Sequence, residues 1–550
     1  MNEYSRDTLS TQAEQQNTSL QALSAVATLA SGTIFSRLLG FIRDIFFAAL
    51  LGPAADLFLV AFRIPNFFRK LLADGSLGIA YGAAATRLLF HYGPGALSTF
   101  GRYTGLRLFL LGLPLALLFG LLAKPLIFLL APGLSIEAAE ECVYLMRLCL
   151  PYIPLCLLSA AAFSHMAALG NFNPQAWSSG LWNCVILLAA GFAGLFIISG
   201  VSLPPSGIQN ILCAGVVAGG LAQAALGIFC LREYKKPDKT AGARDTAAFP
   251  PPAYIKAEGR SLLRQFPAAA AGAAGAQIHF LAAMALASFT AAGGVSALYL
   301  TERLVELPVS LAGSVVGLAV LPGLSQFAAH GKKEELAETL GQSLRRGAFI
   351  SLPATVGLMA LALPLADTLF GHGSFDKNSV SLTASAIIGY APAIPALCAA
   401  RPLLAAVTAL GYRTAPLSSA CISLVPLLLC GIIGIQFWGT EYPGCRITAI
   451  GLGLSAGAWA NTWLLFRKVH AGGIPNPLHG NRRALAIYTS AALVMGFLLR
   501  LLMRLPGQPG TLGCLVLVSL AGIAWIGVFR AVKNQDAQSL LGIFHRGRQK

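Results

Sequence analysis

Charge is what this chain has least of: 11% of its 550 residues are Asp, Glu, Lys or Arg, against about a quarter in an ordinary soluble domain. So few charges cannot cover a water-exposed surface of this size, which excludes a soluble globular protein. No Gly-rich GxxxxGK[ST] loop is present, so ATP is not the direct energy source. CxxC and HExxH are missing as well, and no metal centre or acyl-transfer site is expected. Eleven cysteines are scattered through apolar runs and read as small core hydrophobes. No cofactor, metal or catalytic residue is expected, and the chain reads as a non-enzyme. The first twenty residues are polar and lack the basic-then-apolar layout of a cleaved leader, so the first apolar helix acts as the insertion signal.

What is there in quantity is apolar: 56% of residues are hydrophobic, and the mean hydropathy is +0.69. Continuous runs of roughly 20 residues, rich in Leu, Ala, Phe and Ile, are each long enough to cross the hydrocarbon as a helix. They do not alternate with polar residues, which argues against a β-barrel. The fold class is therefore an all-α polytopic membrane protein of about fourteen transmembrane helices. The spans fall near 24–50, 55–86, 106–130, 139–168, 176–199, 208–231, 262–291, 295–327, 345–370, 379–410, 415–437, 447–467, 483–504 and 511–532.

The net charge of +17 is distributed as topology, not as a nucleic-acid surface. Basic linkers (Arg87 to Arg107, Arg232 to Arg264, Lys332 to Arg346, Arg467 to Arg483, Arg530 to Lys550) alternate with linkers nearly free of Lys and Arg. The positive-inside rule puts the basic set in the cytoplasm, together with both termini. The domains expected are a tail at 1–23, a six-helix bundle at 24–231, a cytoplasmic linker at 232–261, a second six-helix bundle at 262–467, two additional helices at 483–532 and a basic tail at 533–550.

The two bundles look duplicated. Pro114 and Pro125 recur as Pro353 and Pro364, Ile153–Pro154 as Ile394–Pro395, and Ala168-Leu169-Gly170 as Ala409-Leu410-Gly411. An even number of helices separates the matched positions, so the repeat is parallel, with binding expected between halves that rock to give alternating access.

Ionisable groups at membrane depth cost about 2.5–3.5 kcal/mol each on insertion scales and so face a wet cavity or a partner. The first span carries Arg37, Arg43 and Asp44; the second carries Asp56, Arg63, Arg69, Lys70 and Asp74; the eighth carries Glu302, Arg303 and Glu306. At roughly 100° per residue, Asp56, Arg63, Lys70 and Asp74 share one stripe of an unbroken helix. Arg43–Asp44 and Arg303–Glu306 also fit structural ion pairs, and Arg69–Lys70 fits an interfacial anchor. Taken together, a basic excess confined to three helices suits an anion, above all a diphosphate gripped by guanidinium forks. His165 and His279 read as core histidines, Arg401 as a cavity or helix-end residue, and Asp367 as solvated. Carboxylates are absent between Glu258 and Glu302 and from the eleventh and twelfth spans, so a carboxylate ion-coupling site finds no support there.

FSRLLGFIRD (35–44), D-x-F-x-V-A-F-R-I-P-N-x-x-R-K (56–70), ADGSL (73–77), APGL (131–134), PYI (151–153), ERLVELP (302–308) and LPGLSQ (321–326) together resemble the MurJ/MviN family of lipid II flippases. The resemblance implies the fold of the multidrug/oligosaccharidyl-lipid/polysaccharide exporters. It implies as substrate lipid II, an undecaprenyl diphosphate bearing a disaccharide-pentapeptide, moved from the cytoplasmic to the periplasmic leaflet of a bacterial inner membrane. It further implies Arg37, Arg43, Asp56, Arg69 and Arg303 as substrate-binding positions, Asp56 being a gate or orienting partner. Asp44, Arg63, Lys70, Glu302 and Glu306 follow as secondary cavity or gate residues, and the last two helices as a groove for the lipid tail. Membrane lipids and the cell-wall synthesis machinery are the further partners implied, for a monomeric protein that binds no nucleic acid. A flippase for another polyprenyl-diphosphate-linked glycan, or a drug or ion antiporter of the same superfamily, is the alternative. Leu77 stands where the family's turn after the second helix has an aromatic residue.

Overall fold

The computed structural model describes residues 31–73, 76–233, 251–412, 414–504, 511–531, 534 and 536. The expected tail at 1–23, most of the linker at 232–261, Asp74 and nearly all of the basic tail at 533–550 lie outside them. In chain order the helices are α1 (31–51), α2 (Ala55–Ala73), α3 (Ser76–Leu121), α4 (Ala123–Leu130), α5 (Ile136–Cys149), α6 (Tyr152–Ala168), α7 (Asn173–Ile198), α8 (Pro205–Glu233) and α9 (Pro252–Ala287). They continue as α10 (Gly294–Ala329), α11 (Lys333–Ala360), α12 (Ala362–Phe370), α13 (Lys377–Tyr390), α14 (Ala393–Ala409), α15 (Ala415–Phe437), α16 (Pro443–Ala471), α17 (Arg482–Leu502) and α18 (Thr511–Ala531). Among the described residues there is no strand. Eight helical segments are long and apolar enough to cross a membrane, and the pairs α11–α12 and α13–α14, bent by 80° and 47°, raise that to ten. The chain is an all-helical, multi-pass membrane protein.

Each expected span meets a helix or a helix pair, with one correction in the first half. The stretch from Arg87 to Arg107, expected as a basic linker, is helical: α3 runs through it, and the helical dihedrals break at Gly93 (φ +77°). A lipid-facing chain leaves no backbone group unbonded, and staying helical through the interface satisfies them locally. Basic side chains there need only reach the headgroups, which a helix allows.

The duplication read from prolines is carried by the backbone itself. Helices α5 and α13 are each 14 residues long, α6 and α14 each 17, and α8 and α16 each 29. Breaks fall at matching places, at Leu122 before Pro125 and at Leu361 before Pro364. The Ala-Leu-Gly repeat is a helix stop used twice. Gly170 (φ +83°) and Gly411 (φ +87°) take the left-handed conformation one residue past the cap. There the Gly170 N–H bonds Ala167 O at 3.0 Å and the Asn171 N–H bonds Met166 O at 2.9 Å, while Gly411 bonds Thr408 O at 3.0 Å and Tyr412 bonds Val407 O at 3.2 Å. Both are Schellman closures, which favour glycine because a Cβ strains the left-handed residue.

Two compact units emerge. The first comprises residues 1–46, 61–124 and 142–273, and the second comprises 47–60, 125–141 and 274–550. In the first, α6 packs against α3 and α8, and α8 against α7. Trp182, Tyr152 and Phe100 are fully buried in it. In the second, α14 packs on α10, α11 and α16, while α16 also packs on α13 and α15. There an aromatic cluster of Phe349, Tyr488, Trp525 and Phe529 fastens α17 and α18 to α11. The opposite faces of α17 and α18 expose Leu493, Phe497, Ile523 and Val528, as lipid contact requires.

Candidate functional site

In the first unit one arginine from α1 and one from α2 converge on a single indole. The Arg43 guanidinium carbon lies 5.6 Å from the Trp182 ring centre, and that of Arg69 lies 4.9 Å from it. Phe62 stacks on the same indole at 5.6 Å and also lies 5.5 Å from Arg43. Guanidinium on an aromatic face keeps its in-plane N–H groups for other acceptors, which makes the pair a suitable cradle for an anion.

Arg43 is buried, and its acceptors are in place. Nε and Nη2 donate to Asp44 Oδ1 at 3.0 and 2.6 Å, and Nη1 donates to Asn183 Oδ1 at 2.9 Å. Asn183 is itself oriented by donating from Nδ2 to the Ser36 carbonyl at 2.8 Å. The ion-pair reading of Arg43–Asp44 therefore holds for this conformation. Arg69 is half-buried and donates from Nε and Nη2 to Asn66 Oδ1, one helical turn earlier, at 3.2 and 3.1 Å. Arg63 on the same helix is 1% exposed. Arg37 and Lys70 are half-buried on α1 and α2.

In the second unit Arg303 also has an acidic partner. Its Nη1 donates to Glu306 Oε2 at 2.8 Å, and Glu302 lies 4.0 Å away. Its guanidinium carbon sits 4.6 Å from the Tyr299 ring centre, repeating the aromatic backing of the first unit. Arg401 of α14 lies against Gly313 of α10, where an added Cβ would stand 2.2 Å from Nη1. The bare glycine backbone makes the room that this guanidinium occupies.

Asp56 does something spacing could not show. Its two carboxylate oxygens accept the backbone N–H groups of Gly293 (2.8 Å) and Ser296 (2.7 Å) at the start of α10. The carboxylate thus caps a helix from which it is far removed in sequence, with its charge at the positive end of the helix dipole. Gly293, at φ +87°, supplies the turn that aims both N–H groups at it.

The two histidines have the satisfied partners of core residues. His165 Nδ1 meets the Tyr81 hydroxyl at 2.9 Å, and His279 Nε2 meets the Ser423 hydroxyl at 2.6 Å. Among the described residues no cluster of His, Cys, Asp or Glu could hold a metal ion. Sequence reasoning missed Trp182 and Asn183, whose only signal was a polar Asn beside an indole inside an otherwise apolar span. It also missed Arg87–Glu258, a two-point ion pair (2.9 and 2.6 Å) that ties the start of α9 to α3.

The family described as "Lipid II flippase MurJ" matches residues 42–521. The chain belongs to the MurJ family. Its MurJ relatives include the "Probable lipid II flippase MurJ" of Bdellovibrio bacteriovorus, 30% identical over 430 residues covering 76% of this chain and 78% of the relative. The "Lipid II flippase MurJ" of Burkholderia cenocepacia is 27% identical over 492 residues, covering 86% and 89%. Among solved structures, a MurJ described as in an inward closed conformation superposes with a TM-score of 0.70 at 20% identity, covering 92% of this chain and 99% of its own. An inward-facing multidrug transporter of the MATE family reaches 0.61 at 16% identity, covering 82% and 96%. At these identities the structural likeness establishes the shared fold, and the MurJ assignment rests on the sequence match.

Proposed function

We propose that this protein moves lipid II from the cytoplasmic to the outer leaflet of a bacterial inner membrane. The observation that carries the reading is the match of the MurJ family across nearly the whole chain. The mechanism is alternating access between two six-helix bundles, 24–231 and 262–467, with both termini cytoplasmic. Arg43, Arg69 and Arg303, aided by Arg37, bind the diphosphate or the peptide carboxylates in a cationic cavity. Each of these three is backed by an aromatic ring that holds its plane, which supports that role. Arg43 and Arg303 are neutralised by Asp44 and Glu306 in the conformation described, so a diphosphate binds by displacing a carboxylate from the guanidinium it already orients. Arg63 and Lys70 raise the positive potential, and Glu302 limits it. Asp56 acts as a gate whose capping of α10 is made in one state and lost in the other. The exposed apolar faces of α17 and α18 take the lipid tail. The membrane potential, about 2.3 kcal/mol per charge per 100 mV, favours outward movement of net negative charge. The protein works as a monomer beside the cell-wall synthesis machinery.

The test is the appearance of lipid II on the outer face of spheroplasts after acute inactivation of the protein in cells with no other flippase. Loss of external lipid II is expected, and an unchanged rate of appearance refutes the function. Arg43→Ala, Arg69→Ala and Arg303→Ala are each expected to abolish complementation at normal membrane abundance. Full activity of all three removes them from the site.

A further inference from the structure

A second site stands apart from the arginines, within the second unit. Helices α13 and α16 meet backbone to backbone: a Cβ on Gly389 would lie 2.4 Å from the Thr448 carbonyl oxygen, and one on Gly451 would lie 2.9 Å from the Gly389 carbonyl carbon. Towards the start of α13 the same seam holds a cavity of about 930 Å³. The segments before α10, α13 and α16 roof it, and the charge pattern of the linkers puts that end outside the cell.

The lining is selective in kind. It includes the acids Asp376 and Glu441 and no Lys, Arg or His; the Arg446 guanidinium behind it is taken up by the carbonyls of Trp438 and Phe289 and Lys377 lies off the lining, so the wall itself favours a cation over an anion. Asp376 stays charged well into acid, because hydrogen bonds from Ser379 hold its carboxyl below the usual range. Trp438 and Tyr442 stand at the rim with ring centres 6.3 Å apart, and aromatic faces attract ammonium groups. On the cavity wall Ser379, 1% exposed, turns its N–H and its hydroxyl to the Asp376 carboxylate and so fixes where that charge stands. The far end is apolar, formed by Ala449 and by Leu452, which is 48% exposed. Acidic and aromatic at the headgroup level and apolar below, the cavity matches a lipid in the outer leaflet.

We propose that the cavity between α13 and α16 binds a phospholipid whose headgroup carries a primary ammonium, held by Asp376 and Glu441 against Trp438, with an acyl chain along Leu452. The site is independent of the cargo, and it couples the protein to the lipid composition of the leaflet that receives that cargo. A primary ammonium donates hydrogen bonds to a carboxylate that a trimethylated head cannot.

The test uses the full chain reconstituted in vesicles of equal parts phosphatidylethanolamine, phosphatidylcholine and phosphatidylglycerol. Lipids retained after gentle detergent extraction are counted by native mass spectrometry. Retention of phosphatidylethanolamine about fivefold above each of the other two is expected, a ratio of the size one net hydrogen bond provides. Asp376→Asn with Glu441→Gln should bring that ratio to about one. Asn still accepts the Ser379 N–H as a helix cap, so the double variant keeps the fold. Trp438→Leu should lower the ratio without abolishing it. Equal retention of all three lipids by the unmodified protein, or an unchanged ratio in the double variant, overturns the proposal. So does displacement by a soluble lysine-bearing peptide that lipid does not reverse, which would give the site to a peptide amine. Lipid II transport by the unmodified protein is read alongside; a preference for phosphatidylethanolamine in a chain that moves no lipid II upholds this site and refutes the flippase reading alone.

Discussion

Removing the Asp56 carboxylate should release the start of α10, and the structure sets the size of the effect. Two N–H groups, those of Gly293 and Ser296, lie 2.8 and 2.7 Å from the two carboxylate oxygens, and Asp56 is 6% exposed. Bonds to a charged acceptor contribute about 1.5–3 kcal/mol each, and a buried donor left unmade costs about 1–3 kcal/mol. For Asp56→Ala the two losses overlap, giving about 3–4 kcal/mol in all, or a shift of two to three orders of magnitude between closed and open forms of this contact. Asp56→Asn keeps one carbonyl acceptor and loses the charge at the helix end, so about 1–2 kcal/mol is expected. Amide hydrogen exchange of the purified protein in nanodiscs, followed on peptides that contain Gly293 and Ser296, reads this directly. Exchange there should rise by about a hundredfold or more for Asp56→Ala and by about tenfold for Asp56→Asn, with peptides from α15 unchanged. Wild-type protection of those amides in Asp56→Ala would refute the capping role.

Other outcomes follow from the same geometry. Trp182→Leu keeps the position apolar but removes the face shared by Arg43 and Arg69; complementation should fail at normal abundance, and full complementation would show the stacking to be incidental. Gly389→Ala drives a methyl into the Thr448 carbonyl, whereas Gly82→Ala meets nothing within 4 Å. The first should destabilise by about 1–3 kcal/mol, seen as a lower melting temperature in detergent, and the second should be silent. Exchanging the partners of the Arg87–Glu258 pair should restore what Arg87→Glu alone removes. With Arg87 43% exposed the whole effect stays below about 1 kcal/mol in thermal stability, and a larger loss would mean that the pair does more than fasten α9. In Asp376, whose folded carboxyl is held below its ordinary range, the cap on α13 is at full strength above the ordinary carboxylate range. It weakens only as pH falls through the depressed value, and amide exchange at Ser379 should follow that course and not the ordinary one.

Much of this protein is local physics and was legible in the sequence. Apolar runs without alternation give spanning helices, because lipid offers the backbone no other partner. Pro125 and Pro364 mark matching breaks, and Gly170 and Gly411 mark matching helix stops, because the constraints on Pro and Gly act within one turn. The repeat and the family motifs follow from the same residues. What only the tertiary structure decided is which group each charge meets. Asp56 shares a helical stripe with Arg63 and Lys70, yet its carboxylate bonds the backbone of α10. Arg43 and Arg69 lie on different helices, and α7, much further along the chain, brings Trp182 against both. Helical period fixes the face on which a side chain stands, but only packing fixes what stands opposite, since contacts across bundles depend on helix register and crossing that no local pattern encodes.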